Sequence, residues 1–102
     1  MFKITPNPTF KAKVSIPLPG EADAKIEIEF RHFDREGIVE IEKNTSGKRK
    51  EEVIMMIACG WSGVDADFNS ENVLTLIKNY HAAYDSIISA FWEELLQAKS
   101  KN

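Results

Sequence analysis

Asp65, Asp67 and Asn69 follow the spacing of the first three oxygen ligands of an EF-hand calcium loop. The sixth position of such a loop turns sharply on glycine, and here it is Ser70. The twelfth must bring a bidentate glutamate, and here it is Leu76. Without that carboxylate the coordination sphere cannot close, so the acids read as helix-capping groups ahead of Ser70. Gly60-Trp61-Ser62-Gly63 sets a serine near glycines, as a nucleophile elbow does, but the second glycine of that turn is replaced by Val64. Ser46-Gly47-Lys48 matches the end of a phosphate loop. Glu42 stands where its first glycine belongs, and Arg49 where its magnesium-binding hydroxyl belongs.

The remaining reactive side chains are equally isolated. His81 and Asp85 lie four apart and on one helix could touch a single metal, but two ligands do not make a site. His32 falls on a buried strand face by parity. Cys59 has no basic neighbour to stabilise a thiolate, so core packing is its expected role. Glu27 and Glu29 share a strand face, as paired catalytic carboxylates do, yet Lys25 and Arg31 flank them in a charge ladder. The basic run Lys48-Arg49-Lys50 is followed at once by Glu51-Glu52 and reads as a solvated helix start. No catalytic, cofactor-binding or metal-binding set assembles from these residues, and the chain is expected to bind another protein rather than to catalyse.

Composition agrees with that expectation. A chain of 102 residues has room for one domain, and 43% hydrophobic with 28% charged residues is an ordinary globular mixture. A single cysteine excludes an internal disulfide and suits a reducing cytoplasm. The formal charge of −3 argues against a nucleic-acid partner. The longest apolar run, Val53 to Cys59, is far short of the ~20 residues a membrane span needs, and the opening residues hold no stretch of signal-peptide length.

An α+β fold should position these residues. Over 10–18, Phe10, Ala12, Val14, Ile16 and Leu18 alternate with polar positions. Over 24–31, Ala24, Ile26, Ile28 and Phe30 do the same. With Pro19-Gly20-Glu21-Ala22-Asp23 as the turn, the two runs form an antiparallel hairpin within 8–31. Leu18 would then oppose Ala24, and Lys13 would oppose Glu29. A lone hairpin is marginal in water, so its apolar face must pack on helices, and 34–102 reads as mainly helical. Residues 34–43 read either as a helix capped by Asp34, the preferred assignment, or as a third strand. A second helix is expected from about Arg49 to Cys59, apolar nearly all round, with Gly60 and Gly63 ending it at Trp61. Asn69 or Ser70 caps a third helix bearing Val73, Leu76, Ile77 and Tyr80. A last helix turns Tyr84, Ile87, Ile88, Phe91 and Leu95 inward, with Trp92 and Leu96 widening the stripe and Lys99 and Lys101 complementing its dipole.

The order of short motifs is more specific than any one of them. Gly60-Trp61-Ser62-Gly63-Val64, an acidic gap, Phe68-Asn69-Ser70-Glu71-Asn72-Val73-Leu74, Leu76-Ile77 and Tyr80-His81-Ala82-Ala83 together resemble the phage tail assembly chaperone family. The opening Thr5-Pro6-Asn7-Pro8-Thr9-Phe10-Lys11 before a hairpin is also similar. The resemblance covers nearly the whole chain and is weakest over 34–52. His81 replaces a proline common at that junction in the family.

The resemblance implies a non-structural phage or prophage protein of the host cytoplasm. Such a protein binds the long helical tail tape measure protein and keeps it soluble before the tail tube forms, with the tail tube protein as a second candidate partner. Trp92, Leu96, Met55 and Met56 are the candidate contacts, because aromatic and methionine side chains beyond the needs of a core adapt to apolar partners. Gly60, Trp61 and Gly63 are expected to form a structural junction between helices. Two other readings stand beside this one: a small host regulatory or toxin-neutralising module, and a small metal enzyme built on His81 and Asp85.

Overall fold

The computed structural model describes residues 1–97; the expected dipole partners Lys99 and Lys101 lie outside the described residues. Strands β1 (Thr9–Leu18) and β2 (Glu21–Arg31) form the expected hairpin, with Ala12, Val14, Ile16, Ile26, Ile28 and Phe30 buried on one face. The turn is shorter than expected. Leu18 opposes Glu21, so Pro19-Gly20 alone makes it, and Gly20 takes the positive φ of +72° that the second central residue of a type II turn requires. Zipping the strands up to this turn moves the register by two. Ile16 opposes Ala24, Lys13 opposes Glu27 and Lys11 opposes Glu29, where Leu18–Ala24 and Lys13–Glu29 had been expected. A shift of two keeps every side chain on its expected face. An irregularity between Ile16 and Leu18 absorbs the odd residue on β2, opposite Pro17 on the edge strand, where a missing N–H does least harm. His32 is a second departure. The strand ends at Arg31, and His32 is exposed, its backbone N–H donating to the Pro8 carbonyl at 2.9 Å.

Residues Arg35–Thr45 form helix α1. Its start is fixed by Asp34, whose Oδ1 accepts from the Gly37 N–H at 2.8 Å, and Ile41 is its buried residue. Helix α2 (Lys50–Ile57) buries Val53, Ile54 and Ile57. It does not reach Cys59. The chain leaves the helix directly into a third strand, β3 (Ala58–Ser62), antiparallel to β2 with Ile28 opposite Trp61 and Glu29 opposite Gly60. The sheet order is therefore β1-β2-β3. Cys59 is the extra residue of a bulge between the Gly60–Glu29 and Ala58–Phe30 pairs.

Helix α3 (Ser70–Asn79) is capped by Asn69, whose side chain accepts from the Asn72 N–H at 2.8 Å. Helix α4 (Ala83–Leu96) buries Ala83, Ile87 and Phe91. One sheet face carries the core, with α4 lying across β1 and α2 between α3 and α4. Phe91 is the hub. Its ring lies 5.3 Å from Phe30, 6.3 Å from Phe10 and 5.9 Å from Phe33, so a side chain from the last helix knits both hairpin strands together. Ile77 and Ile88, expected in this core, pack against it half-buried.

A candidate protein-binding groove

The motif Gly60-Trp61-Ser62-Gly63-Val64 has a structural use. Trp61 sits on β3, not between two helices, because the preceding helix stops early. Its Nε1–H donates to the Ala66 carbonyl at 2.7 Å, and its ring meets Phe68 edge-on at 5.2 Å. Gly63 turns the chain away from the strand with φ +82°, a conformation that favours glycine. The Asn72 side-chain amide donates to the Asp67 carbonyl at 2.8 Å, tying the far end of the same loop to α3. The residues that mimic a calcium loop thus form a closed connection between β3 and α3, with the exposed carboxylates of Asp65 and Asp67 at its surface.

The other reactive residues are dispersed. His81 lies in the turn before α4 and Asp85 in that helix's first turn, so they are not on one helix as expected. Among the described residues no three of His, Cys, Asp and Glu are grouped to hold a metal. Glu29 accepts a hydrogen bond from the Thr9 hydroxyl at 2.6 Å on the outer sheet face, and Cys59 points its Sγ at the Glu29 carbonyl at 3.6 Å.

Of the expected contact residues, Trp92 lies in a built concavity. A groove of about 180 Å³ runs between α1, α2 and α4, lined chiefly by Ile41, Val53, Ile57, Tyr84, Ile88 and Trp92. Helical spacing explains the lining. Tyr84, Ile88 and Trp92 recur every four residues along α4, while Val53 and Ile57 do so on α2. Trp92 is half-buried, its ring 4.9 Å from Phe91, which forms the floor. Leu96, one turn further along α4, is 53% exposed. Met55 and Met56 do not line this groove; they pack half-buried against the core. Burial, and secondarily the neighbouring Asp85 carboxylate, raise the Tyr84 hydroxyl above its ordinary pKa, and the Lys50 ammonium stands 5.2 Å over its ring. The groove is smaller than the ~300–1,000 Å³ of small-molecule pockets. Thr45 and Lys48 complete its lining, which is therefore mixed rather than purely apolar.

The fold class is α+β, and among the described residues the exposed large apolar side chains are Met1, Phe2 and Ile4 of the opening segment, Val39 on α1, Tyr80 after α3 and Leu96 at the end of α4. The chain belongs to the phage tail assembly chaperone family, whose model matches residues 1–102, the whole chain. No curated protein and no solved structure gives a significant match. The family sets its general role as assisting phage tail assembly by binding phage tail proteins, in place of the host regulatory module. Among the described residues no helix is long and apolar enough to cross a membrane.

Proposed function

We propose that this chaperone binds a helical segment of the tail tape measure protein in the host cytoplasm and keeps it soluble until the tail tube forms around it. One observation carries the reading: half-buried Trp92 lines a groove between three helices, and exposed Leu96 extends the same face of α4 by a turn. A long helical protein without its tube exposes apolar stripes, and a helix laid across a groove between helices covers such a stripe. Trp92 and Leu96 are the principal contacts of this reading. Met55 and Met56 are secondary, since both already pack on the core.

Co-expression tests the reading. The tape measure protein encoded beside this chaperone should become soluble in its presence and elute with it from a sizing column. A tape measure protein that stays insoluble, with no complex, would sink the assignment of partner. Complex formation with the tail tube protein alone would transfer the role to that second candidate.

A further inference from the structure

The chain carries a formal charge of −3, yet among the described residues the one charged side chain lining the Trp92 groove is Lys48. A second cation stands beside it, because the Lys50 ammonium lies over Tyr84, itself a lining residue. Helix geometry sorts the charges here. Lys50, Val53 and Ile57 recur at i, i+3 and i+7 on α2, so Lys50 shares the groove face. Glu51 and Glu52 are carried roughly 100° and 200° round the helix, and Glu52 is paired with Arg49. Among the described residues neither Lys48 nor Lys50 forms a salt bridge. Asp85 also acts on the Tyr84 hydroxyl, so two lysines stand against one carboxylate at this edge of the groove. An acidic protein therefore presents a groove of mixed lining whose edge carries more positive than negative charge.

We infer that the groove selects an amphipathic α-helix whose apolar stripe is flanked by Asp or Glu, the carboxylates meeting Lys48 and Lys50 while apolar side chains pack against Trp92, Ile88 and Ile57. The inference rests on the reading of this groove as the partner site and adds the chemistry of the helix it takes. The two contributions divide the work. Apolar burial supplies affinity, and the lysines supply register and discrimination, since a basic helix would set like charges against them. Overall charge acts in the opposite sense: a net-negative chaperone repels an acidic helix at long range. A preference for one is therefore a signature of the local rim.

The test uses the full chain and two fluorescein-labelled helical peptides of about four turns. Both carry the same Leu and Phe stripe, one flanked by Glu and the other by Lys, and binding is followed by anisotropy. The Glu-flanked peptide should bind roughly tenfold more tightly, from two partly exposed ion pairs, and the advantage should shrink as salt is raised. Lys48→Glu with Lys50→Glu should reverse the preference, and Lys48→Gln with Lys50→Gln should abolish it without reversal. Equal binding of both peptides, binding of neither, or a preference that survives both variants overturns the inference. If the tape measure protein fails to form a complex while the Glu-flanked peptide binds and responds to the lysine changes, the partner's identity is wrong and the selectivity stands.

Discussion

Phe30 of the central strand and Phe91 of the last helix meet at the middle of the core, their centroids 5.3 Å apart and both rings fully buried. Phe91 also touches Trp92 at 4.9 Å, so one aromatic chain joins the sheet to the floor and wall of the groove. Groove shape is consequently tied to the packing of hairpin on helix. Loosening the hairpin should alter partner binding without any change in a contact residue.

Ile28 tests how much the hairpin contributes. It has no exposed surface, lies in the central strand and opposes Ala12 on one side and Trp61 on the other. Ile28→Ala removes buried methyl groups where neighbours on both sides are fixed by strand pairing, so the cavity cannot readily collapse. The expected cost is about 2–5 kcal/mol, read from denaturant unfolding. A cost below about 1 kcal/mol would mean that the sheet is a loosely held cover on the helices.

Trp61 separates a ring from a hydrogen bond. Trp61→Phe keeps the edge contact to Phe68 but loses the bond from Nε1–H to the Ala66 carbonyl, at a cost of about 1 kcal/mol. Trp61→Ala loses both and should cost roughly 2–4 kcal/mol, since the side chain is only half-buried. Both are measured by thermal or urea unfolding. If Ala costs no more than Phe, the ring contributes nothing to the β3–α3 loop.

The hairpin was legible because alternation over ten residues fixes which face is buried. The caps were legible only in part, since Ser70 beside Asn69 could serve equally and the alternation Val39-Glu40-Ile41-Glu42 suited a strand as well as a helix capped by Asp34. Strand β3 was not. Val53 to Cys59 is one apolar run, and a run buried all round shows no period that could divide helix from strand. The division falls at Ala58, whose N–H still bonds back to Ile54 while its φ and ψ are already extended. Trp61 beside small residues that suit close strand pairing was the available signal. The groove was half legible. Trp92 and Leu96 stood out by excess over one packing face, but the contributions of Ile41 and Lys48 depend on how α1 folds back beside α2, which no local pattern dictates.

Tyr84 should titrate late. Burial and Asp85 raise its folded pKa above the unfolded value of 10.0, so the neutral phenol is the favoured form in the folded chain. Stability from this group is therefore full below about pH 10 and is lost as pH rises through the folded pKa. Absorbance near the phenolate band should show a component above pH 10 that disappears in Tyr84→Phe, and the variant should lose less stability across that window. A single tyrosine transition, unchanged by the substitution, would place Tyr84 in a solvated setting.

Leu96 and Trp92 should part company when stability and binding are measured together. Leu96 is 53% exposed beyond the groove, so Leu96→Ser should leave the melting temperature within a few degrees. Trp92 packs against Phe91, and Trp92→Ser should destabilise the chain by roughly 1–3 kcal/mol, below the range for a fully buried aromatic. If α4 presents the partner face, Leu96→Ser alone should weaken the tape measure complex by ~1–2 kcal/mol, about a fivefold to thirtyfold rise in Kd. Trp92→Phe, which keeps an aromatic ring on the groove wall, should bind better than Trp92→Ser by more than their difference in folding accounts for. Titration of the purified complex, with a melting curve for each variant, decides the matter. Normal binding by Leu96→Ser and by Trp92→Ser in their folded fractions would remove α4 from the interface and turn attention to Met55 and Met56 on α2.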